Sequence, residues 1–210
     1  MEARKYLDIV SHYESCLERH GDTHLGVDWP KQDDVTTRHR VMLEVIKPEH
    51  RDETVSLLDF GCGAAHLYEY IRENGIATIE YAGLDLSDKF IELCRSKFPA
   101  NNFYCLDLLA DNDALPSFDY IVMNGVFTEK RSLTFDEMLN YFKQLVSKVF
   151  AKAERGIAFN VMSKHVDWER EDLFHLPFDT LAAFLKRELS RNFVIRNDYG
   201  LYEYTTYVYR

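Results

Sequence analysis

The segment LLDFGCGAAHL, from Leu57 to Leu67, constrains the fold of this chain more than any other stretch. It begins within VSLLDF, a short and continuously apolar run that is typical of a parallel strand covered on both faces. The run that follows, AHLYEYIREN, has helical periodicity and ends at Gly75. Gly61 and Gly63 lie between the two runs, where glycine permits a tight turn and lets a ligand approach the backbone. The segment therefore predicts a strand–turn–helix unit with a ligand site at the turn.

Three acids accompany the glycine turn. Asp59 stands directly before it, Asp85 closes the next apolar run, YAGLDL, and Asp107 closes a third run, NFYCLD. Because the carboxyl ends of parallel strands meet at one edge of a sheet, we expect these acids to converge on one crevice. An acid at the position of Asp85 can accept hydrogen bonds from ribose hydroxyls, and Asp107 is placed to meet an adenine amino group.

Strand and helix patterns alternate along most of the chain. FDYIVMNG and GIAFNVMS are predicted strands, separated by the helical pattern FDEMLNYFKQLVSKVFAKA, and SDKFIELCRSKF is a predicted helix. This alternation predicts βαβ units, a parallel sheet and helices on both faces, that is, an α/β fold. The tail differs, since FVIRNDYG and LYEYTTYVYR are joined too closely at Gly200 for a crossover helix and predict an antiparallel hairpin.

The first 50 residues have helical, largely polar patterns, with a second helix predicted from Asp34 to Lys47. No repeat, linker or low-complexity tract interrupts the sequence. We therefore predict one domain over residues 1–210, with a helical cap segment at 1–50 and a Rossmann-like core at 54–210.

Composition limits the classes of function. The 210 residues carry a formal net charge of −10, which argues against a protein that grips nucleic-acid phosphates. The four cysteines form no C-x-x-C pair and no zinc-finger spacing, so we predict no metal site. The charged start, MEARKYLDIV, and the lack of a long apolar run predict a cytoplasmic protein with no membrane partner. For the oligomeric state, we expect either a monomer or a homodimer.

A dinucleotide is the competing ligand for the glycine turn. Its fingerprint has a third glycine where this chain has His66, and that glycine serves close packing between helix and strand. A bulky histidine at this position and the predicted terminal hairpin both weigh against a nicotinamide-dependent oxidoreductase.

These motifs resemble the class I S-adenosylmethionine-dependent methyltransferase family. The matching elements are DFGCGAAHL, LDLS with Asp85, LDL with Asp107, and FDYIVMNGVF for the fourth strand. The resemblance covers roughly residues 55 to 210, and Ala65 replaces the third glycine of the family's commoner first motif. It implies a seven-stranded sheet that ends in an antiparallel hairpin, with S-adenosylmethionine as cofactor and S-adenosylhomocysteine as product.

The resemblance also implies where the cofactor lies. Its methionine part would be lined by the residues of the glycine turn, namely Asp59, Gly61, Cys62 and Gly63. Asn124 and Gly125, at the end of the fourth strand, would lie beside the sulfonium. No chemistry is assigned to the Cys62 thiol, since a cysteine in such a place is usually a small packed side chain.

At the other end of the cofactor, Asp85 and Leu86 would hold the ribose and adenine, and Asp107 with Leu108 the adenine edge. The cap string GVDWPKQDDVTTRHRVML looks like a segment of some small natural-product methyltransferases in which an arginine meets the cofactor carboxylate. This similarity adds Arg38 to the predicted site, since a guanidinium holds a carboxylate bidentately. Trp29 is added too, with a core or hinge role as its alternative.

The methyl acceptor is less defined. The connection FNVMSKHVDWEREDLFHLPFD carries His165 and His175, either of which is a candidate general base, and Tyr199 in the terminal hairpin is a further candidate. We predict a small-molecule acceptor methylated at O, N or C, because an aromatic content of 14% suits a mostly apolar pocket. A protein acceptor and a catalytically silent domain that binds a nucleoside or a partner protein stay open as alternatives.

Overall fold

The structure is a computed structural model that describes residues 5–110 and 115–210. Its strands form one seven-stranded sheet in the order β3-β2-β1-β4-β5-β7-β6. The strands are β1 Val55–Phe60, β2 Ile79–Asp85, β3 Asn102–Cys105, β4 Phe118–Phe127, β5 Ala153–Met162, β6 Phe193–Arg196 and β7 Glu203–Tyr209. The first five strands run parallel to one another, and β7 runs antiparallel between β5 and β6. The predicted α/β fold, with its parallel sheet and terminal antiparallel hairpin, is confirmed.

Helices connect the strands and precede the first one. They are α1 Leu7–His20, α2 Gln32–Leu43, α3 His66–Glu73, α4 Asp88–Lys97, α5 Phe135–Lys152 and α6 Phe178–Glu188, with short 3-10 turns at His24–Val27 and Pro48–His50. The predicted N-cap of α4 is present, since the Ser87 side chain accepts a hydrogen bond from Phe90 N. Among the helices of residues 5–110 and 115–210, none combines the length and the apolar character that crossing a bilayer requires.

The sheet is buried on both faces, which explains the continuously apolar β1. Successive side chains of a strand point to opposite faces. Leu57 packs in the hydrophobic cluster that includes Val41 and Met42 of α2, and Leu58 packs in the one that includes Phe142 of α5. Because each face is covered, a strand here gains nothing from alternating polar residues.

Several predicted boundaries differ from the structure. Helix α2 ends at Leu43 rather than continuing to Lys47: Val45 N and Ile46 N donate to carbonyls three residues back, and Lys47, before Pro48, is extended. Strand β3 ends at Cys105, and Asp107 lies beyond the strand, where its carboxylate accepts Leu109 N in a turn. Strand β4 continues past the apolar run FDYIVMNG to Phe127, which is the end of the matching motif FDYIVMNGVF, and its register is irregular where Gly125 adopts φ +83°.

Helix α5 begins in a capping box, which yields a stability prediction. Thr134 Oγ1 accepts Glu137 N at 3.2 Å, and the Glu137 carboxylate accepts Thr134 N at 2.9 Å. We expect Thr134→Ala to lower the free energy of unfolding by about 1 kcal/mol in urea denaturation, because one helix N–H loses its acceptor. Thr134→Ser keeps the hydroxyl and serves as the control. An alanine variant as stable as the serine variant would contradict this role.

Candidate functional site

A cleft opens at the carboxyl ends of β1, β2 and β4. The chain runs from β1 to β2 and β3 on one side of the sheet and then crosses to β4 on the other side of β1, so the cleft lies where the strand order reverses. The empty space of this cleft, counted together with the open solvent at its mouth, is about 960 Å³. Helix α1 and the segment that leads into α2 form its roof. Most of its lining is apolar, and its residues are Tyr6, Ile9, Val10, Tyr13, Val27, Trp29, His39, Asp59, Phe60, Gly61, Cys62, Gly63, His66, Leu67, Leu84, Asp85, Leu86, Ser87, Phe90, Asn124, Gly125, Val126 and Tyr141.

The glycine turn shapes the floor of this cleft. Gly61 and Gly63 have positive φ angles of 75° and 50°. A Cβ at Gly61 would lie 2.6 Å from Val126 Cγ2, so a larger residue would be both strained and crowded. Ala65, which stands where the resembling family commonly has glycine, also adopts a left-handed conformation, with φ 59°. The backbone therefore follows the glycine path at all three positions.

Asp85 ties the glycine turn to the end of β2. Its Oδ2 accepts a hydrogen bond from Gly63 N at 3.0 Å, and its Oδ1 accepts one from Ser87 N at 2.9 Å. Burial raises the pKa of Asp85, while the backbone N–H groups work in the opposite direction. A carboxylate has about four lone-pair sites, so both oxygens can still accept hydroxyl donors from the cleft.

Asp59 lies deeper and is 3% exposed. It accepts a hydrogen bond from the Tyr81 hydroxyl at 2.8 Å. Burial raises the pKa of Asp59 to about 7; the Tyr81 hydrogen bond lowers it, and the charge of Asp85 raises it. The acid before the glycine turn is therefore half protonated near neutral pH.

The predicted adenine-edge residues take a different arrangement. Asp107 Oδ2 accepts a hydrogen bond from the Tyr6 hydroxyl at 2.6 Å, and Leu108 is buried in the core. Neither lines the cleft, whereas Leu86 does. Two stacked rings line this end instead, Tyr6 at the N-cap of α1 and Tyr141 of α5, with centroids 5.0 Å apart and planes at 15°.

Asn124 and Gly125 lie together on the opposite wall. Asn124 Oδ1 is buried and has no hydrogen-bond partner within residues 5–110 and 115–210. The Gly125 carbonyl accepts the Thr128 hydroxyl at 3.0 Å and the Tyr13 hydroxyl at 3.4 Å. The Trp29 ring packs on Gly125, where a Cβ would lie 3.4 Å from Cζ2 of the indole. An acceptor atom without a donor in a cleft wall is suited to a ligand N–H or O–H.

Arg38 lies behind Trp29 and outside the cleft lining. Its Nε and Nη2 hold the Glu203 carboxylate at 2.9–3.1 Å, and its guanidinium carbon stands 5.2 Å from the Trp29 ring centroid. Arg38 Nη1 is buried, and no partner for it occurs in the described part of the chain. Most of the guanidinium is thus engaged by an internal carboxylate, and the Trp29 ring separates Nη1 from the cleft.

The three candidate bases are not brought to the cleft. Both ring nitrogens of His175 contact backbone, with Nδ1 2.6 Å from Ser163 O and Nε2 accepting Arg170 N at 3.3 Å. His165 stacks on Phe178, and the Tyr199 hydroxyl lies 3.0 Å from Thr205 Oγ1. None of the three lines the cleft, and their catalytic roles stay predictions.

Three roof residues, Tyr6, Ile9 and Val10, were missed as site residues. They recur at helical spacing, which predicts α1 but not what its inner face covers. Tyr13 and His39 were candidates from the cap segment, and both line the cleft. His39 is 4% exposed and lies between the Trp29 and Tyr70 rings. Burial lowers the pKa of His39 to about 3, assisted by the charges of His66 and Arg38, so the imidazole is neutral.

One group of possible metal donors occurs within the described ranges. Donor atoms of His12, Cys16 and Asp28 lie within 4.8 Å of one another. His12 Nε2 is already bonded to Asp28 Oδ2 at 2.7 Å, and Arg19 Nη2 lies 3.3 Å from the Cys16 sulfur. Burial raises the pKa of the Cys16 thiol, which disfavours the thiolate that metals bind. The arrangement fits a hydrogen-bonded cluster better than a metal centre.

Comparison with known sequences points to one enzyme class. The family model described as "Methyltransferase domain" matches residues 58–149, from β1 to near the end of α5. A curated protein of Mycobacterium tuberculosis (strain H37Rv), which carries a provisional methyltransferase name, is 29% identical over 157 residues. The match covers 73% of this chain and 92% of that relative.

Solved structures share the fold at low identity. The magnesium protoporphyrin IX methyltransferase of Synechocystis PCC 6803, solved with bound S-adenosylmethionine, is 14% identical with a TM-score of 0.66, over 99% of this chain and 98% of that chain. The plantazolicin methyltransferase, in complex with S-adenosylhomocysteine, is 13% identical with a TM-score of 0.61, over 100% of this chain and 91% of that chain. At such identities the likeness shows a common fold.

The raised pKa of Asp59 predicts a pH dependence of stability. Between about pH 4 and pH 7 the folded chain keeps a proton on Asp59 that the unfolded chain has lost, so stability falls as pH rises through this window. Burial also raises the pKa of Asp85 and of Glu129, so these acids add to the same decline. We expect Asp59→Asn to make the decline shallower, by an amount on the order of a few kcal/mol in total, in urea denaturation at stepped pH. Asp88→Asn, on an exposed acid of α4, controls for losing a carboxylate. A decline as steep in Asp59→Asn as in the wild type would refute the assignment.

Proposed function

We propose that this chain, a member of the class I S-adenosylmethionine-dependent methyltransferases, methylates an O, N or C atom of a small-molecule acceptor. The observation that carries the proposal is the joined floor of the cleft, where Asp85 binds the Gly63 backbone at the carboxyl ends of β1 and β2. When bound, S-adenosylmethionine supplies an electrophilic methyl group on a sulfonium. The acceptor atom would take the methyl group, S-adenosylhomocysteine would leave with the electron pair of the carbon–sulfur bond, and the acceptor's proton would pass to solvent or to a base.

The residues present fit this cofactor. The Asp85 carboxylate would accept the ribose hydroxyls, with Leu86 beside it, and the adenine would lie against the stacked pair of Tyr6 and Tyr141 rings. Asp107 would reach the adenine edge by sharing an oxygen that already accepts the Tyr6 hydroxyl or Leu109 N. We place Leu108 behind this edge as core support.

The methionine part would lie along the glycine turn toward Trp29. Asn124 Oδ1 supplies an acceptor without an internal donor, and Arg38 Nη1 supplies a buried donor without an internal acceptor, as far as the described residues go. An ammonium on the ligand would satisfy the Asn124 oxygen, and the ligand carboxylate would meet Arg38 Nη1 once the Trp29 ring moved aside. The glycine turn would contact this part through the backbone of Gly61 and Gly63 and through the Cβ of Cys62. A Cβ at Gly61 would crowd Val126, and one at Gly63 would crowd Val27.

Catalysis would rest on alignment. A cleft with mostly apolar walls excludes water and holds an acceptor in line with the carbon–sulfur bond, and such positioning supplies much of the rate. The neutral His39 imidazole in the wall offers a hydrogen bond without a charge that would repel the sulfonium. This scheme requires no strong base, in agreement with the place of His165, His175 and Tyr199 outside the cleft.

A small-molecule acceptor is the finer part of the proposal. By their names, two proteins of the same fold act on magnesium protoporphyrin IX and on plantazolicin, neither of which is a nucleic acid. The net charge of −10 weighs in the same direction. The direct test is calorimetric titration with S-adenosylmethionine and S-adenosylhomocysteine beside NAD⁺, followed by methyl-transfer assays on small molecules and on proteins. Saturable binding of the first two alone supports the proposal, and binding of NAD⁺ alone would overturn it.

The role of Asp85 yields a prediction for cofactor binding. Asp85→Asn replaces one acceptor oxygen by an N–H donor, which faces either Gly63 N or Ser87 N and cannot accept a ribose hydroxyl. We expect the calorimetric Kd for S-adenosylhomocysteine to rise about tenfold or more.

The matched control is Asp88→Asn, on an exposed acid of the same connection. Thermal unfolding of both variants without ligand shows whether each is folded. Wild-type affinity in a folded Asp85→Asn variant would remove the ribose assignment.

A further inference from the structure

Strand β4 is irregular at the cleft wall, and there the Gly125 N–H has no backbone partner in the hydrogen-bond ladder between β4 and β5. Met123 pairs with Phe159 of β5 and Phe127 pairs with Val161, so residues 124–126 stand opposite Asn160 alone. Gly125 lies in the middle of this bulge with φ +83°. Its N–H points away from the cleft, toward β5, and a buried N–H without an acceptor is costly.

The Asn160 side chain supplies the missing acceptor. Its Oδ1 accepts Gly125 N at 2.7 Å, and its Nδ2 donates to Glu203 Oε1 at 2.9 Å. Only this orientation of the amide satisfies both neighbours, because the Gly125 N–H must be met by an oxygen and the carboxylate by an N–H. Asn160 is fully buried and Glu203 is 2% exposed, so water cannot replace either contact.

The network continues to the cap. Glu203, at the start of β7, receives Arg38 of α2 through Nε and Nη2 at 2.9–3.1 Å, which balances its charge. Arg38 in turn lies over the Trp29 ring, and that ring packs on Gly125. These contacts therefore form a closed ring, which begins at the Gly125 N–H and ends where the Trp29 indole packs on Gly125.

We infer that Asn160 and Glu203 are positioning residues, which with Arg38 form a buried relay that fixes the Gly125 peptide and so aims the Asn124 side chain into the cleft. The inference rests on the proposed function for its link to cofactor binding. Through these contacts the relay would couple the packing of the cap segment against the core to the shape of the cleft wall at Gly125. Neither Asn160 nor Glu203 lines the cleft, so both act through Gly125.

A polarity exchange tests the relay. In Asn160→Asp two carboxylates face each other, and we expect the Kd for S-adenosylhomocysteine to rise about tenfold and the Gly125 amide to exchange hydrogen faster.

The double variant Asn160→Asp/Glu203→Gln exchanges the two groups. The carboxylate now at position 160 accepts both Gly125 N and the new amide at position 203, and the oxygen of that amide still accepts Arg38. One carboxylate remains in the network to balance the guanidinium. We expect the double variant to recover most of the affinity and most of the protection of the Gly125 amide.

Two controls separate positioning from general loss of stability. Thr206→Val removes a buried hydroxyl that lacks a partner in the described chain, on the same strand as Glu203. Ser56→Ala removes the two hydrogen bonds that the Ser56 hydroxyl makes with Asp119, near the start of β1 and far from the cleft. Both should keep wild-type affinity and Gly125 exchange, even where the melting temperature falls.

The outcomes are distinct. Wild-type affinity and exchange in Asn160→Asp, or a double variant no better than the single one, would overturn the relay. If Asn160→Asp does not fold, Glu203→Gln alone, which weakens the hold on Arg38, should still speed exchange at Gly125, and unchanged exchange would overturn it as well. Failure of the wild type to bind S-adenosylhomocysteine would defeat the proposed function only, because Gly125 exchange is measured without ligand.

Discussion

The carboxylate of Asp85 is the interaction on which the site depends. By accepting Gly63 N and Ser87 N, it joins the turn after β1 to the start of α4. The pairing of β1 with β2 brings these two segments together, and the hydrogen bonds then set their distance at the edge where a ligand enters. The half-buried Asp85 carboxylate accepts one backbone donor from each segment, so a shift of either segment would leave an N–H without its acceptor. The floor of the cleft is therefore defined by backbone as much as by side chains.

The fold was predictable from the sequence because its signals are local. Continuous apolar runs mark strands that are covered on both faces, and the glycine turn and Ser87 mark where helices begin. The errors fall at element ends. There Pro48, the turn at Asp107 and the bulge at Gly125 decide the boundary through contacts of one or two residues, which periodicity averages over.

The site was only partly predictable, for the same reason. Most residues near the glycine turn and strand ends line the cleft, since topology alone carries them there. Asp107 is engaged by Tyr6, and Arg38 by Glu203, partners 101 and 165 positions away in the sequence. Asn160 lies within an apolar strand pattern, and the bulge that gives it a task exists only in the pairing of β4 with β5. No spacing within the sequence encodes such pairings.

The roof over the cleft has a further consequence. Helix α1 and its N-cap residue contribute Tyr6, Ile9, Val10 and Tyr13 to the lining, yet only Ile9 and Cys16 of that helix are buried. Its other attachments include exposed ion pairs, such as those that Lys89 makes with two glutamates of α1, which are individually weak. The cleft thus joins a stiff floor to a roof of low local stability, and local opening concentrates in such elements. A ligand under α1 makes its roof contacts only while that helix is closed, so we expect affinity to depend on the closed population of the roof as well as on the fit of the floor.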